Sequence, residues 1–182
     1  MRHWSRRRRL KGMRLAALLA LAAAAALLGR GHWPHGMRPD RNDPVPPEVS
    51  GWARPIDGDS LWVGSYEVRL EGIDAPEGRQ ACRRNGATWS CGDAARDALS
   101  RMIGRETVTC TVSERDRYGR LLANCRAGDR SLNAGMVTAG MAVAYGGYER
   151  EETAAKAARS GLWDSEFQMP RQWRDENNDM RR

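Results

Sequence analysis

Histidine is missing from most of this chain. All three histidines, His3, His32 and His35, fall in its first 35 residues. A catalytic histidine, a histidine-ligated zinc and a Ser-His-Asp triad are therefore excluded from any fold built by the residues that follow. The four cysteines, at 82, 91, 110 and 125, contain no CxxC pair, which argues against a zinc cluster. No apolar run is long enough to span a bilayer comfortably. The longest, LAALLALAAAAALL at 15–28, covers about 21 Å as a helix, against a hydrocarbon core of about 30 Å. A basic excess is also missing from the later residues. The 182-residue chain carries a formal charge of +7. Arg2, Arg6, Arg7, Arg8, Arg9, Lys11 and Arg14 account for all of it, and the remainder is neutral. Any surface for an anionic polymer must therefore be local. Acid–base chemistry falls to carboxylates, Arg, Tyr, Lys or a bound metal ion.

A basic start followed by a short apolar run is the plan of an export segment. Residues 1–29 are expected to be a signal peptide or a short membrane anchor. Cutting after Ala24 or Ala26 would leave Leu27 and Leu28 on the mature end, so removal and retention both stay open. Either way the basic end stays in the cytoplasm. The rest is exported: periplasmic or secreted, or held to the inner membrane by residues 15–28, its sole expected membrane contact. Residues 30–50 hold five of the eight prolines and read as a linker. The folded domain is expected over 51–163. Residues 164–182 read as a polar C-terminal tail, with Phe167, Met169, Pro170 and Trp173 the candidates for packing and disorder from Arg174 onward.

Strand signals follow the linker in GWARPI, SLWV and YEVRLEGI. Gly64-Ser65 suits a two-residue hairpin turn. Tyr66, Val68 and Leu70 alternate with Glu67, Arg69 and Glu71, so one face is apolar and the other charged. Glu71 shares the Arg69 face, either to pair with it or to compete for its partners. Helices are expected over 93–103, 132–139 and 150–160, each ended by glycine at 104, 140 or 161. The first places Ala95, Ala98, Leu99, Met102 and Ile103 on one stripe. Ser131 caps the second. A short strand, MAVAY at 141–145, separates the last two. The order β-β-β-α-β-β-α-β-α gives an α+β, mainly β, fold: a small barrel plus helices.

In an oxidising compartment four cysteines form two disulfides, with three connectivities available. Residues 106–114 and 120–128 read as strands joined by a turn centred on Asp116-Arg117-Tyr118-Gly119. A hairpin centred there sets Cys110 opposite Cys125 at bridging distance. Cys82 and Cys91 are left to close a short loop.

Three segments carry chemistry: IDGDS at 56–60, RLEGIDAPE at 69–77 and DRYGR at 116–120. Singly each is ordinary turn chemistry. Together they offer two hard carboxylates, Asp59 and Asp74, suited to calcium, or to magnesium with more retained water. They also offer two guanidinium forks, Arg69 and Arg120, for phosphate oxygens, and a general base for water, Glu77. Residues 79–130 hold eleven arginines against six acids, a modest local basic strip.

In this order and spacing the segments resemble the thermonuclease (staphylococcal-nuclease-like) family over about residues 53–163. The resemblance implies an OB-type five-stranded barrel with three helices. It implies a metal-dependent nuclease acting on single-stranded DNA and RNA, cutting the 5′ P–O bond and leaving 3′-phosphates. It assigns Asp59, Asp74 and the carbonyl of Ala75 to calcium, with Asp57 behind them. It assigns Arg69 and Arg120 to phosphate and Glu77 to the attacking water. Tyr118 and Tyr145 are implied to lie along the nucleotide groove, where an aromatic face stacks on a base. Arg117 is a further candidate for phosphate. Ala75 stands where the family usually has threonine, and a Cys82–Cys91 loop stands close to Glu77. A monomer is expected. The alternative is a non-catalytic OB-fold nucleic-acid-binding module of the cell envelope.

Overall fold

The fold was analysed in a computed structural model that describes residues 43–179. The leader at 1–29 and residues 30–42 of the linker lie outside the described residues.

Period-two alternation builds the sheet. β1 (Glu48–Gly51) and β2 (Ala53–Pro55) precede the hairpin of β3 (Ser60–Val63) and β4 (Tyr66–Leu70). Val63 faces Tyr66 across the two residues Gly64 and Ser65, as the sequence leads one to expect. Val68 and Leu70 are buried and Arg69 between them is not. β8 (Val108–Arg115) and β9 (Leu121–Ala127) form the second hairpin, with short β10 (Arg130–Ser131) on β9. The ladder runs β1-β8-β9-β4-β3-β2. Its pairs are antiparallel except β4 with β9, which is parallel. Two small ladders stand apart: β5 (Ile73–Asp74) with β11 (Val143–Ala144), and β6 (Cys82–Arg84) with β7 (Ala87–Trp89).

The resemblance implies a five-stranded barrel, and the hydrogen bonds draw a ladder whose two ends, β1 and β2, are consecutive in the chain. The main path has six strands and is open between β1 and β2. Those two are neighbours in the chain, with Trp52 between them. The segment bends there, so β1 pairs with β8 and β2 with β3. β1 also corrects the start of the domain. Residues 48–50, counted with the linker, pair with the exposed edge of β8, and the Val112 N–H donates to the Pro47 carbonyl at 2.9 Å.

The expected helices appear as α1 (Cys91–Ile103), α2 (Leu132–Thr138) and α3 (Glu149–Ala157). α1 buries Ala95, Ala98, Leu99 and Ile103 against the sheet, and α2 adds Leu132, Met136 and Val137. Each fully buried Leu or Val contributes about 1.5–3 kcal/mol. The Ser131 hydroxyl caps α2 by accepting the Ala134 N–H at 3.2 Å.

A fourth helix, α4 (Pro170–Asp179), occupies the segment expected to be a polar tail disordered from Arg174. The chain leading to it is held down. Arg83 and Glu166 exchange backbone hydrogen bonds, and Gln80 Nε2 donates to the Gln168 carbonyl at 2.6 Å. Pro170, with its preset φ, then opens the helix.

Both disulfides form as expected, Cys82–Cys91 and Cys110–Cys125. Cys110 sits opposite Cys125, but the register shifts between Val112 and Glu114. That bulge moves the turn by one residue and lets Asp116 N–H meet the Arg120 carbonyl. Cys82 and Cys91 lie in a small apolar cluster with Val143 and Leu162, packed by Trp89, Trp163 and Phe167.

One buried polar side chain links the helical layer to the site. Asn133 on α2 accepts the Cys125 N–H at 2.9 Å and donates to the carbonyls of Glu71 and Ala123 at 2.9 and 3.1 Å. It thereby holds the turn that leads from β4 into β5. Asn133→Leu keeps the bulk and strands these groups. A loss of about 3 kcal/mol is expected, read as a lowered denaturant midpoint. A midpoint equal to wild type would show that the network is not needed.

Candidate active site

The Asp57-Gly58-Asp59 turn is made by its own side chain. Asp57 Oδ1 accepts the N–H groups of Asp59 and Ser60 at 3.1 and 2.8 Å, a common Asx arrangement. The turn lies flat on α1 and the loop after β5. A Cβ on Gly58 would lie 2.7 Å from the Cβ atoms of both Ala75 and Ala95.

This turn delivers Asp59, and β5 delivers Asp74. Both are buried, with 3% and 2% of their surface exposed. Asp59 accepts the Ser60 hydroxyl on Oδ1 and the Ala75 N–H on Oδ2, each at 3.0 Å. Ala75 thus meets Asp59 through its amide. Arg69 Nη2 lies 3.0 Å from Asp59 Oδ2 and 2.8 Å from Asp74 Oδ1. One guanidinium nitrogen bridges the two carboxylates. Glu71 does not join it; its carboxylate accepts from Asn124 Nδ2 at 3.0 Å.

Glu77 sits in the loop between β5 and β6. Gln80 N–H donates to its carbonyl at 2.7 Å, and α1 begins directly against it. A Cβ on Gly92 would overlap the Glu77 carbonyl, so glycine is what permits this approach. The Cys82–Cys91 bridge ties the same loop to the start of α1.

Arg120 is held from its own turn. Its Nε and Nη2 both lie 2.8 Å from Asp116 Oδ2. Asp116 Oδ1 accepts the N–H groups of Tyr118 and Arg120 at 2.9 Å. Arg117 stacks on the exposed Tyr118 ring at 4.8 Å and donates to its hydroxyl at 2.7 Å.

An open cleft of about 580 Å³ gathers Arg69, Glu77, Arg117, Tyr118, Arg120 and Tyr145, with Asp57 and Glu67. Three residues of α4 complete its wall: Arg171, Arg174 and Asp175. Arg171 donates to the Tyr145 hydroxyl at 3.3 Å. Arg174 forks onto Asp74, with Nη1 at 2.9 Å from Oδ1 and Nη2 at 3.0 Å from Oδ2. Its Nη1 also reaches Glu77 Oε1 at 2.9 Å. Burial pulls the Arg174 pKa down, but the hydrogen bonds and charges of Asp74 and Glu77 outweigh it and raise it. The α4 residues escaped the reading of the sequence. The signal available was Pro170 followed by nine residues without a helix breaker.

Among the described residues no cluster of three or more His, Cys, Asp or Glu side chains is arranged for a metal ion. The chemistry of the Asp59–Asp74 pair nevertheless fits a hard cation. Every side-chain donor is a carboxylate oxygen, both groups are buried, and guanidinium nitrogens already sit against them. Two carboxylates make a short donor set that leaves room for water.

The family model for staphylococcal nuclease homologues matches residues 67–165. The chain belongs to this family. Among its relatives, Micrococcal nuclease of Shigella flexneri is 34% identical, covering 88% of this chain and 93% of that protein. Protein ParB of Escherichia coli is 37% identical over 70% of this chain and 80% of its own length. Succinoglycan biosynthesis protein ExoI of Rhizobium meliloti (strain 1021) is 33% identical over 63% of this chain; the match spans 64% of that relative's length.

In this staphylococcal nuclease homologue the carboxyl of Asp57 is strongly perturbed. Burial, then the charge of Asp59, pushes it up to about 7. A folded-state pKa above the ordinary value means that the native protein takes up a proton. This contribution to stability is complete below about pH 4 and is lost as pH rises through about 7. Asp57→Asn keeps the acceptor for the turn without the charge. In chelator, the variant should gain thermal stability over wild type at pH 8, keep only part of that gain at pH 5 and lose it below about pH 4. An identical difference at all three pH values would remove Asp57 from this role.

Proposed function

We propose that the chain is a calcium-dependent nuclease that hydrolyses phosphodiester bonds in single-stranded DNA or RNA and acts as a monomer. What supports this reading is one convergence. Asp59, Asp74, Arg69 and Glu77 meet within hydrogen-bond reach of shared partners, beside a cleft that also holds Arg120 and two exposed tyrosines. The relatives named as nucleases point the same way.

In this reading Asp59 and Asp74 hold the cation. Once bound it supplies a Lewis acid that polarises a phosphoryl oxygen and stabilises charge as it builds. Arg69 spends Nη2 on the two carboxylates and offers its other edge to the phosphate. Asp116 fixes the direction of the Arg120 guanidinium, leaving Nη1 as its donor to phosphate. Glu77 orients water and accepts its proton as the oxygen attacks phosphorus. The 5′ oxygen leaves and takes up a proton, and the phosphate stays on the 3′ side. Tyr118 and Tyr145 offer stacking faces to the bases on either side. Export to an oxidising compartment accords with the two disulfides.

The direct test is incubation of the full chain with single-stranded DNA, first with calcium and then with excess chelator. Cleavage abolished by chelator is expected; binding without cleavage would restore the non-catalytic module. Glu77→Gln should lower kcat by about a hundredfold or more while KM changes little, because water is engaged chiefly on the way to the transition state. An unchanged kcat removes Glu77 from that role. Arg120→Lys keeps the charge but loses the fork that Asp116 orients. It should cut kcat/KM at least about tenfold, and wild-type turnover would count against its contact with phosphate.

A further inference from the structure

We propose that α4 is a latch on the active site. Arg174 occupies the Asp74 carboxylate that the cation needs, so that calcium and docked α4 compete for it. The inference rests on the calcium reading above and extends it to a segment outside the matched residues 67–165.

The fork of Arg174 takes both oxygens of Asp74, and Arg69 already takes Oδ1. A cation entering this carboxylate must displace one of the guanidinium groups. They want the same lone pairs, and like charges at contact repel strongly in a site shielded from water. Arg69 is built into β4 and bridges two carboxylates. Arg174 rides on the last helix. It is the group that can leave without disturbing the sheet.

α4 is docked in a way that favours release. Its sequence, PRQWRDENND, offers one proline and one tryptophan to an apolar contact. Pro170 is buried and Trp173 half-buried. Its polar side-chain contacts to the rest of the described domain include Arg171 with Tyr145 and Arg174 with Asp74 and Glu77. The pin at Asp74 and Glu77 is therefore an ion pair. The chain just before the helix has its own anchors at Glu166 and Gln168, so undocking can begin at Met169 while the small cluster around Cys82–Cys91 stays packed. The same pin engages Glu77. Docked α4 thus holds the carboxylate for the cation and the carboxylate for water together, and release makes both available together.

The test uses the full chain and does not require turnover. Hydrogen exchange of residues 170–179 is followed in chelator and in saturating calcium, and calcium affinity is measured by calorimetry for wild type and Arg174→Gln. Calcium should raise exchange in α4 of the wild type. Arg174→Gln should show that raised exchange already in chelator and bind calcium about tenfold more tightly, since the docked state no longer takes its share of the population. Asp74→Asn in chelator should also loosen α4, which reports the ion pair without any metal. Calcium binding with α4 still protected, or with equal affinity in the two proteins, overturns the latch and leaves the calcium reading standing. No calcium binding by either protein overturns both.

Discussion

Two carboxylates buried side by side repel each other, and the guanidinium of Arg69 is what allows Asp59 and Asp74 to share a site. With it, both stand ready to hold positive charge, and a second guanidinium from the far end of the chain has been drawn in. The rest of the domain places these three side chains. Arg69 is carried by the strand that pairs with β3 on one side and β9 on the other, which makes it the most firmly supported member.

The supports around the trio are backbone devices and small residues. Asp57 closes the turn that carries Asp59. Gly58 and Gly92 let α1 approach the loops on which Asp59 and Glu77 sit. Asn133 holds the turn from β4 into β5 from beneath. The Cys82–Cys91 bridge ties the Glu77 loop to the start of α1. These contacts restrict the acidic loops, while the basic turn at 116–120 is organised separately by Asp116. The cleft therefore joins two pre-shaped halves, one acidic and one basic.

Local chemistry was legible in the sequence because it acts over short spacing. The Asp-Gly-Asp turn, the alternation in β4, the serine cap of α2 and the facing cysteines 110 and 125 all follow from neighbours in the chain. What was not legible depends on distant partners. β1 becomes a strand because the edge of β8 is available to it. The hairpin shifts register at a bulge that no pattern of apolar residues marks. Asn133 looks like an ordinary helix residue until the carbonyls it serves are known. α4 reads as a tail since its reason to dock lies 100 residues earlier, at Asp74. The meeting of Asp59, Asp74 and Arg69 was anticipated only as a combination of motifs, each of them commonplace alone.

The chemistry of this site turns on whether the bridged acid pair takes up a hard cation. Calorimetric titration of calcium into the full chain and into the double variant Asp59→Asn, Asp74→Asn measures this directly. One calcium ion per chain is expected in the first and none in the second. Equal uptake by both proteins, or none by either, would contradict this.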